Sequence, residues 1–219
     1  MDIIQGLINF ILHIDEHLVE IIDIFGGWSY AILFLIVFVE TGVVIFPFLP
    51  GDSLLFASGA FAAVEAFHFP LLLIVFFTAA VIGDAVNYHI GKKIGTSIPP
   101  NSLLGKMINQ EKMERAEAFF NKHGGKTIVI ARFMPFVRTF VPFVAGASRM
   151  NYRYFFIYNV VGAIVWVGIC TTLGYLFGNI PIIKENFSTV ILLIIFLSVL
   201  PAIFAFIKNK LDFRVGQKR

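Results

Sequence analysis

The sequence predicts an all-α polytopic membrane protein built as an inverted-topology repeat, with two re-entrant helical hairpins dipping in from opposite faces. Three observations predict it. Of 219 residues, 58% are hydrophobic and 14% charged, with a mean hydropathy of +0.85. Soluble domains run at roughly 45–50% apolar and about 25% charged, so a water-solvated globule is excluded. Four stretches approach or exceed the ~20 apolar residues that cross a bilayer. Two further apolar segments are interrupted by proline, glycine and charge in a way that no straight span tolerates.

Along the chain, residues 1–27 interleave apolar positions with His13, Asp15, Glu16, His17, Glu20 and Asp23. This predicts an amphipathic helix at the interface or against the bundle. The first residues hold Asp2 and no basic cluster, so no cleaved signal peptide is expected. Residues 28–46 form the first span, with one acid, Glu40. Residues 47–65 open with Pro47, Pro50 and Gly51 around Asp52. Residues 69–91 form the second span, intruded on by Asp84. Apolar positions 103, 104, 107, 108, 113, 116, 119 and 120 predict an amphipathic helix in the loop 92–126. Residues 127–148 carry Arg132, Pro135, Arg138, Pro142 and Gly146. Spans follow at 152–178 and 186–207, then a basic tail at 208–219. Proline removes a backbone donor and breaks a helix. Non-helical backbone at membrane depth survives only when buried in protein or lining a wet cavity. Residues 47–65 and 127–148 are therefore read as re-entrant hairpins.

Charge placement gives the orientation. Seven Lys/Arg (92, 93, 106, 112, 115, 122, 126) face three acids in the loop, and the tail from Lys208 holds five Lys/Arg and one Asp. The positive-inside rule puts both in the cytoplasm. Two crossings join them, so 127–148 enters and leaves from the cytoplasmic side. Counting backward, 47–65 dips in from the opposite face and the N-terminus is cytoplasmic. Hairpins from opposite faces, each beside two crossings, are the arrangement of an inverted repeat. In so apolar a chain, the net charge of +3 marks cytoplasmic loops rather than nucleic-acid binding.

Five charges fall inside apolar segments: Glu40, Asp52, Asp84, Arg132 and Arg138. Each costs at least ~2.5–3.5 kcal/mol in hydrocarbon unless it pairs, meets water or works. Three acids and two arginines can neutralise one another as structural ion pairs. Asp84 in particular is expected to pair with an arginine of the second hairpin. Yet four of the five lie in or beside the broken segments, where freed backbone groups also meet ions. Arg132 and Arg138 are six apart across Pro135, and a proline-broken turn can bring both guanidinium groups to one cavity. Their planar forks suit phosphate oxygens. Glu40 and Asp52, desolvated in such a cavity, can take up and release a proton.

Other signals are bland. Cys170 is the single cysteine, so no intramolecular disulfide is available. The histidines lack metal-site spacing. No nucleotide-binding loop, nucleophile elbow or zinc signature occurs, so no enzyme, cofactor or resident metal is expected.

Glu40 followed by Pro47-Phe48-Leu49-Pro50-Gly51-Asp52-Ser53 resembles the first signature of the DedA family, also called SNARE-associated or VTT-domain proteins. Ala131-Arg132-Phe133, Pro135, Arg138, Pro142 and Ala145-Gly146 resemble its second. Gly83-Asp84, the run 122–126, and Gly174-Tyr175 through Gly178 also fit. The resemblance implies a multi-pass bacterial inner-membrane protein with two opposed hairpins. Family members return undecaprenyl phosphate to the cytoplasmic leaflet, flip or scramble phospholipids, or support proton-dependent tolerance of alkali and drugs. The family's functional acids match Glu40 and Asp52, and its functional arginines match Arg132 and Arg138.

The function expected is a flippase or translocase for an anionic lipid phosphate, foremost undecaprenyl phosphate, coupled to protons. Arg132 and Arg138 would bind the phosphate. Glu40 and Asp52 would couple protons, with Asp84, Pro50, Gly51, Pro135 and Gly146 in support. The alternatives are a proton-coupled small-solute or cation antiporter and a phospholipid scramblase. The expected partners are membrane lipids and protons, with no nucleic acid and with self-association left open.

Overall fold

The computed structural model describes residues 24–42, 51–94, 124–134, 137–185 and 190, and every regular element among them is an α-helix. Nearly all of the predicted N-terminal helix, the loop helix over 102–123, the span 186–207, the basic tail, and Pro47, Pro50 and Pro135 lie outside the described residues. The helices are α1 (Gly27–Gly42), α2 (Gly51–Ala63), α3 (Phe69–Ile94), α4 (Lys126–Ala131), α5 (Val137–Ala147), α6 (Tyr152–Gly178) and α7 (Pro181–Glu185).

Two of these, α3 with 26 residues and α6 with 27, are apolar and long enough to cross a membrane. At 1.5 Å per residue they run for about 40 Å, more than the ~30 Å of hydrocarbon. Helix α1 is described as far as Gly42, short of the predicted end of its span at 46. Helices α2 and α5 are described over 13 and 11 residues.

The polarity of the long helices is inverted relative to a soluble bundle. In α6 the buried stripe includes Phe155, Asn159, Ala163, Trp166, Val167 and Thr171, while Ile157, Val161, Ile164, Ile169, Leu173 and Leu176 are exposed. In α3, Asp84 and Asn87 are buried, while Leu71, Ile74, Ile82 and Val86 are exposed. Helix α1 buries Ser29, Glu40 and Thr41 and exposes Trp28, Ile32 and Leu35. Burial recurs at the helical period, but the outward side is apolar too, and the polar residues are held inside. Water would penalise so continuous an apolar surface; lipid would not.

The described residues fall into two compact units. One lies within Met1–Tyr30, Phe48–Leu72 and Cys170–Arg219; the other lies within Ala31–Pro47 and Leu73–Ile169. Each contains one short helix packed on the far end of a long one, by the same device. In the first unit, a Cβ on Gly59 of α2 would strike the backbone of Thr171 and Tyr175, and one on Gly174 of α6 would strike that of Phe56. In the second, Gly146 of α5 lies against the backbone of Tyr88 and Lys92, and Gly91 of α3 against that of Phe143. A Phe-x-x-Gly on the short helix meets a glycine three residues past its contact on the long one. In both units only a residue without Cβ permits that approach.

The short helices also end alike. After α2, Ala66 N–H donates to the Phe61 carbonyl (3.1 Å) and Glu65 N–H to the Ala62 carbonyl (3.2 Å), with Glu65 at φ +65°. After α5, Met150 N–H donates to Ala145 and Arg149 N–H to Gly146 (3.0 Å each), with Arg149 at φ +57°. Both are Schellman turns. Each has a charged residue in the left-handed position that glycine usually fills. Asn151 then caps α6, its Oδ1 accepting from the N–H of Arg153 at 3.0 Å.

The segment 127–148 is read from the sequence as broken by proline, with the turn across Pro135; Pro142 lies inside α5, which runs through it. The break falls earlier, between Ala131 and Val137. Pro142 sits six residues into α5, so it forfeits one bond, to the Arg138 carbonyl. The next carbonyl, that of Thr139, accepts from the Asn87 side chain of α3.

Candidate functional site

The second unit gathers four of the five charges. Arg132 is the C-cap of α4, and Arg138 lies in the first turn of α5. Between them the Met134 carbonyl accepts from both Val137 and Arg138 N–H (3.2 Å each). The break presents both guanidinium groups to one side chain. Their Cζ atoms stand 5.9 Å (Arg132) and 5.2 Å (Arg138) from the ring centroid of Trp166, which is buried in α6. A desolvated indole face holds cations well.

Each arginine has its own acid. Arg132 Nη2 bonds Asp84 Oδ2 at 2.5 Å, giving Asp84 the arginine partner that the charge count suggested. Arg138 Nη2 bonds Glu40 Oε1. All four side chains are at least nine-tenths buried. The second carboxylate oxygen of Glu40 and the Nε of Arg132 are buried and find no hydrogen-bond partner among the described residues. The space among Thr41, Asp84, Arg132, Arg138, Thr139 and Trp166 has no room for a water-sized sphere. Each arginine is thus paired with a carboxylate in a space that admits no water.

Two asparagines fix this arrangement. Asn159 Oδ1 accepts from Arg132 Nη2, while its Nδ2 donates to the Val81 carbonyl at 3.0 Å. Asn87 Nδ2 donates to the carbonyls of Thr41 (3.0 Å) and Thr139 (2.7 Å). Those are the residues immediately after Glu40 and Arg138, so Asn87 ties the backbones that carry that pair. Two glycines make room: a Cβ on Gly83 would collide with Thr41 Oγ1, and one on Gly162 would press on Arg132 at Cδ (2.9 Å) and Nε (3.0 Å).

Asp52 falls elsewhere. It is exposed in the first turn of α2, in the first unit, beside the buried Gly51. An acid there suits the helix N-terminus. Gly146 serves the packing of α5 on α3. Sequence reasoning missed Asn87, Asn159, Trp166 and Gly162. Uncharged polar residues inside apolar runs were the available signal for the two asparagines. Among the described residues no group of three or more His, Cys, Asp or Glu could hold a metal.

Residues 49–176 match the VTT domain family. Over 214 residues the chain is 49% identical to Protein DedA of Escherichia coli K12, covering 96% of each sequence. It is 42% identical over 172 residues to an uncharacterized membrane protein of Mycobacterium leprae, covering 78% of this chain and 76% of that one. It is 37% identical over 156 residues to the inner membrane protein YqjA of Escherichia coli K12, covering 71% of this chain and 70% of that one. No solved structure matches.

Proposed function

Because this chain belongs to the VTT-domain family of membrane proteins and stands close to DedA, we propose that it carries an anionic lipid phosphate between the leaflets of the bacterial inner membrane. Undecaprenyl phosphate is the foremost candidate, and movement is coupled to protons. The protein acts as a transporter, not an enzyme, and needs no cofactor; its partners are lipid and protons. One observation carries this reading: two buried arginines share the face of Trp166, each neutralised by a buried carboxylate.

A purely structural network would need no such pairing of two forks on one ring. A phosphate brings one to two negative charges, the complement of two guanidinium groups once their carboxylates let go. The head group therefore enters by exchange. As the phosphate takes Arg138, Glu40 is left in an apolar setting without its partner. An unpaired buried charge is costly, so Glu40 binds a proton. When the phosphate leaves, Arg138 recovers Glu40 and the proton departs. The head group and the proton are thereby linked at one arginine. Asp84, held with Asn159 on Arg132, anchors the other side. Asp52, exposed at the start of α2, is the second proton-handling acid.

The matching glycine packing of α2 and α5, and their matching Schellman ends, support reading the two short helices as hairpin halves of an inverted repeat. The proline and glycine interruptions of both segments, 47–65 and 127–148, support a re-entrant course. Both termini are then cytoplasmic.

In vesicles with head-group-labelled polyprenyl phosphate, Arg132→Ala and Arg138→Ala should each abolish translocation in protein that remains folded. Wild-type rates from both would overturn the proposal. Solute-dependent proton flux with no effect on lipid distribution would replace it with the antiporter. Equal movement of zwitterionic phospholipid, indifferent to a pH gradient, would replace it with a scramblase.

A further inference from the structure

The outer faces of α3 and α6 enclose a trough of about 600 Å³ that the arginine site does not use. Val81, Ile82, Ala85, Val86 and Ile90 form its α3 wall, and Phe156 closes the α6 side. Its polar groups are confined to one end: His89 and Lys93, one helical turn apart, and Tyr152, the first residue of α6. From Val81 to Lys93 the trough follows α3 for about 18 Å. It lies on a helix of membrane length whose outward side chains are apolar.

The polar end is built. His89 Nδ1 lies 2.7 Å from the Ala85 carbonyl. A carbonyl can only accept, so Nδ1 carries the hydrogen and Nε2 is left as the outward nitrogen. The ring is steadied by Tyr152, whose centroid is 4.9 Å away, and by Tyr88 at 5.5 Å. His89 and Lys93 share one face of α3, and both are exposed. At the end of a span, a lysine reaches to head-group level.

We infer that this trough is a lipid site: one hydrocarbon chain lies along Val81–Ile90, and an anionic phosphate head group sits against the Lys93 ammonium and the Tyr152 hydroxyl, with the His89 ring lining the same end. The distribution of polarity selects this occupant. A second copy's transmembrane helix would offer an apolar side along the whole length and leave the cation at the end unanswered. A lipid phosphate matches both the apolar length and the charged end, as basic pockets beside spans do for anionic head groups. This site goes beyond the transport reading and stands or falls separately from it.

The test is native mass spectrometry of the full chain released from nanodiscs containing equal phosphatidylglycerol and phosphatidylcholine. Wild type should retain one phosphatidylglycerol in preference to phosphatidylcholine. Ile82→Trp, at an exposed position on the trough wall, should strip that lipid, while Ile157→Trp, on the outward side of α6 away from the trough, should not. Lys93→Gln should leave a lipid bound but cut the preference for phosphatidylglycerol about fivefold. Arg132→Ala should leave retention unchanged, which separates this site from the transport site. Equal retention of the two lipids by wild type would overturn the inference. So would unchanged preference in Lys93→Gln, or an Ile82→Trp protein that loses a dimer instead of a lipid.

Discussion

Asp84 and Asn159 take hold of one guanidinium from two different helices, and that grip explains why an arginine survives in so apolar a chain. Asp84→Ala would leave Arg132 buried and unpaired, at a cost of about 3–5 kcal/mol. Thermal melting of the detergent-solubilised protein should register that loss. The double variant Asp84→Leu with Arg132→Leu should recover most of the stability, because no lone charge remains, yet translocate no lipid. The charges of this site were legible in the sequence because a charge in an apolar run stands out. Asn159 and Asn87 were passed over, because an uncharged amide costs little to bury once bonded and so stands out less than a charge. The partnerships were illegible too: whether Asp84 meets Arg132 or Arg138 depends on how α3, α4 and α6 pack.

At the scale of the element, the short helices are defined by glycine. Gly59 and Gly146 each let a backbone come close enough to touch the neighbouring long helix. Gly59→Val and Gly146→Val should each destabilise the protein by about 1–3 kcal/mol through overpacking, again by thermal melting. Conservative exchanges at exposed positions such as Leu173 should not. Helix existence was readable from apolar length alone. The turn expected across Pro135 falls within the break between Ala131 and Val137. Pro142 leaves α5 unbroken, since it forfeits only one backbone bond there.

For the whole molecule, the all-helical class and its membrane setting followed from composition, since 58% hydrophobic residues leave no other solvent. The inversion of the two halves is a claim about topology and calls for a topological test. On a Cys170→Ala background, His68→Cys, between α2 and α3, should react with a membrane-impermeant thiol reagent added to intact spheroplasts. Arg153→Cys, at the start of α6, should react only after permeabilisation. Both positions are exposed, so burial cannot mimic either result. Labelling of both from one side would put the two hairpins on the same face.

The central claim is that a phosphate and a carboxylate compete for Arg138. Its most direct test is calorimetric titration of farnesyl phosphate into the purified protein near pH 8, where a phosphate monoester is already dianionic, in buffers of different ionisation enthalpy. Wild type should take up about one proton for each ligand bound, as linkage requires when Glu40 is displaced. Glu40→Gln should bind farnesyl phosphate more tightly and take up none. Equal proton uptake by the two proteins, or weaker binding by Glu40→Gln, would contradict the account.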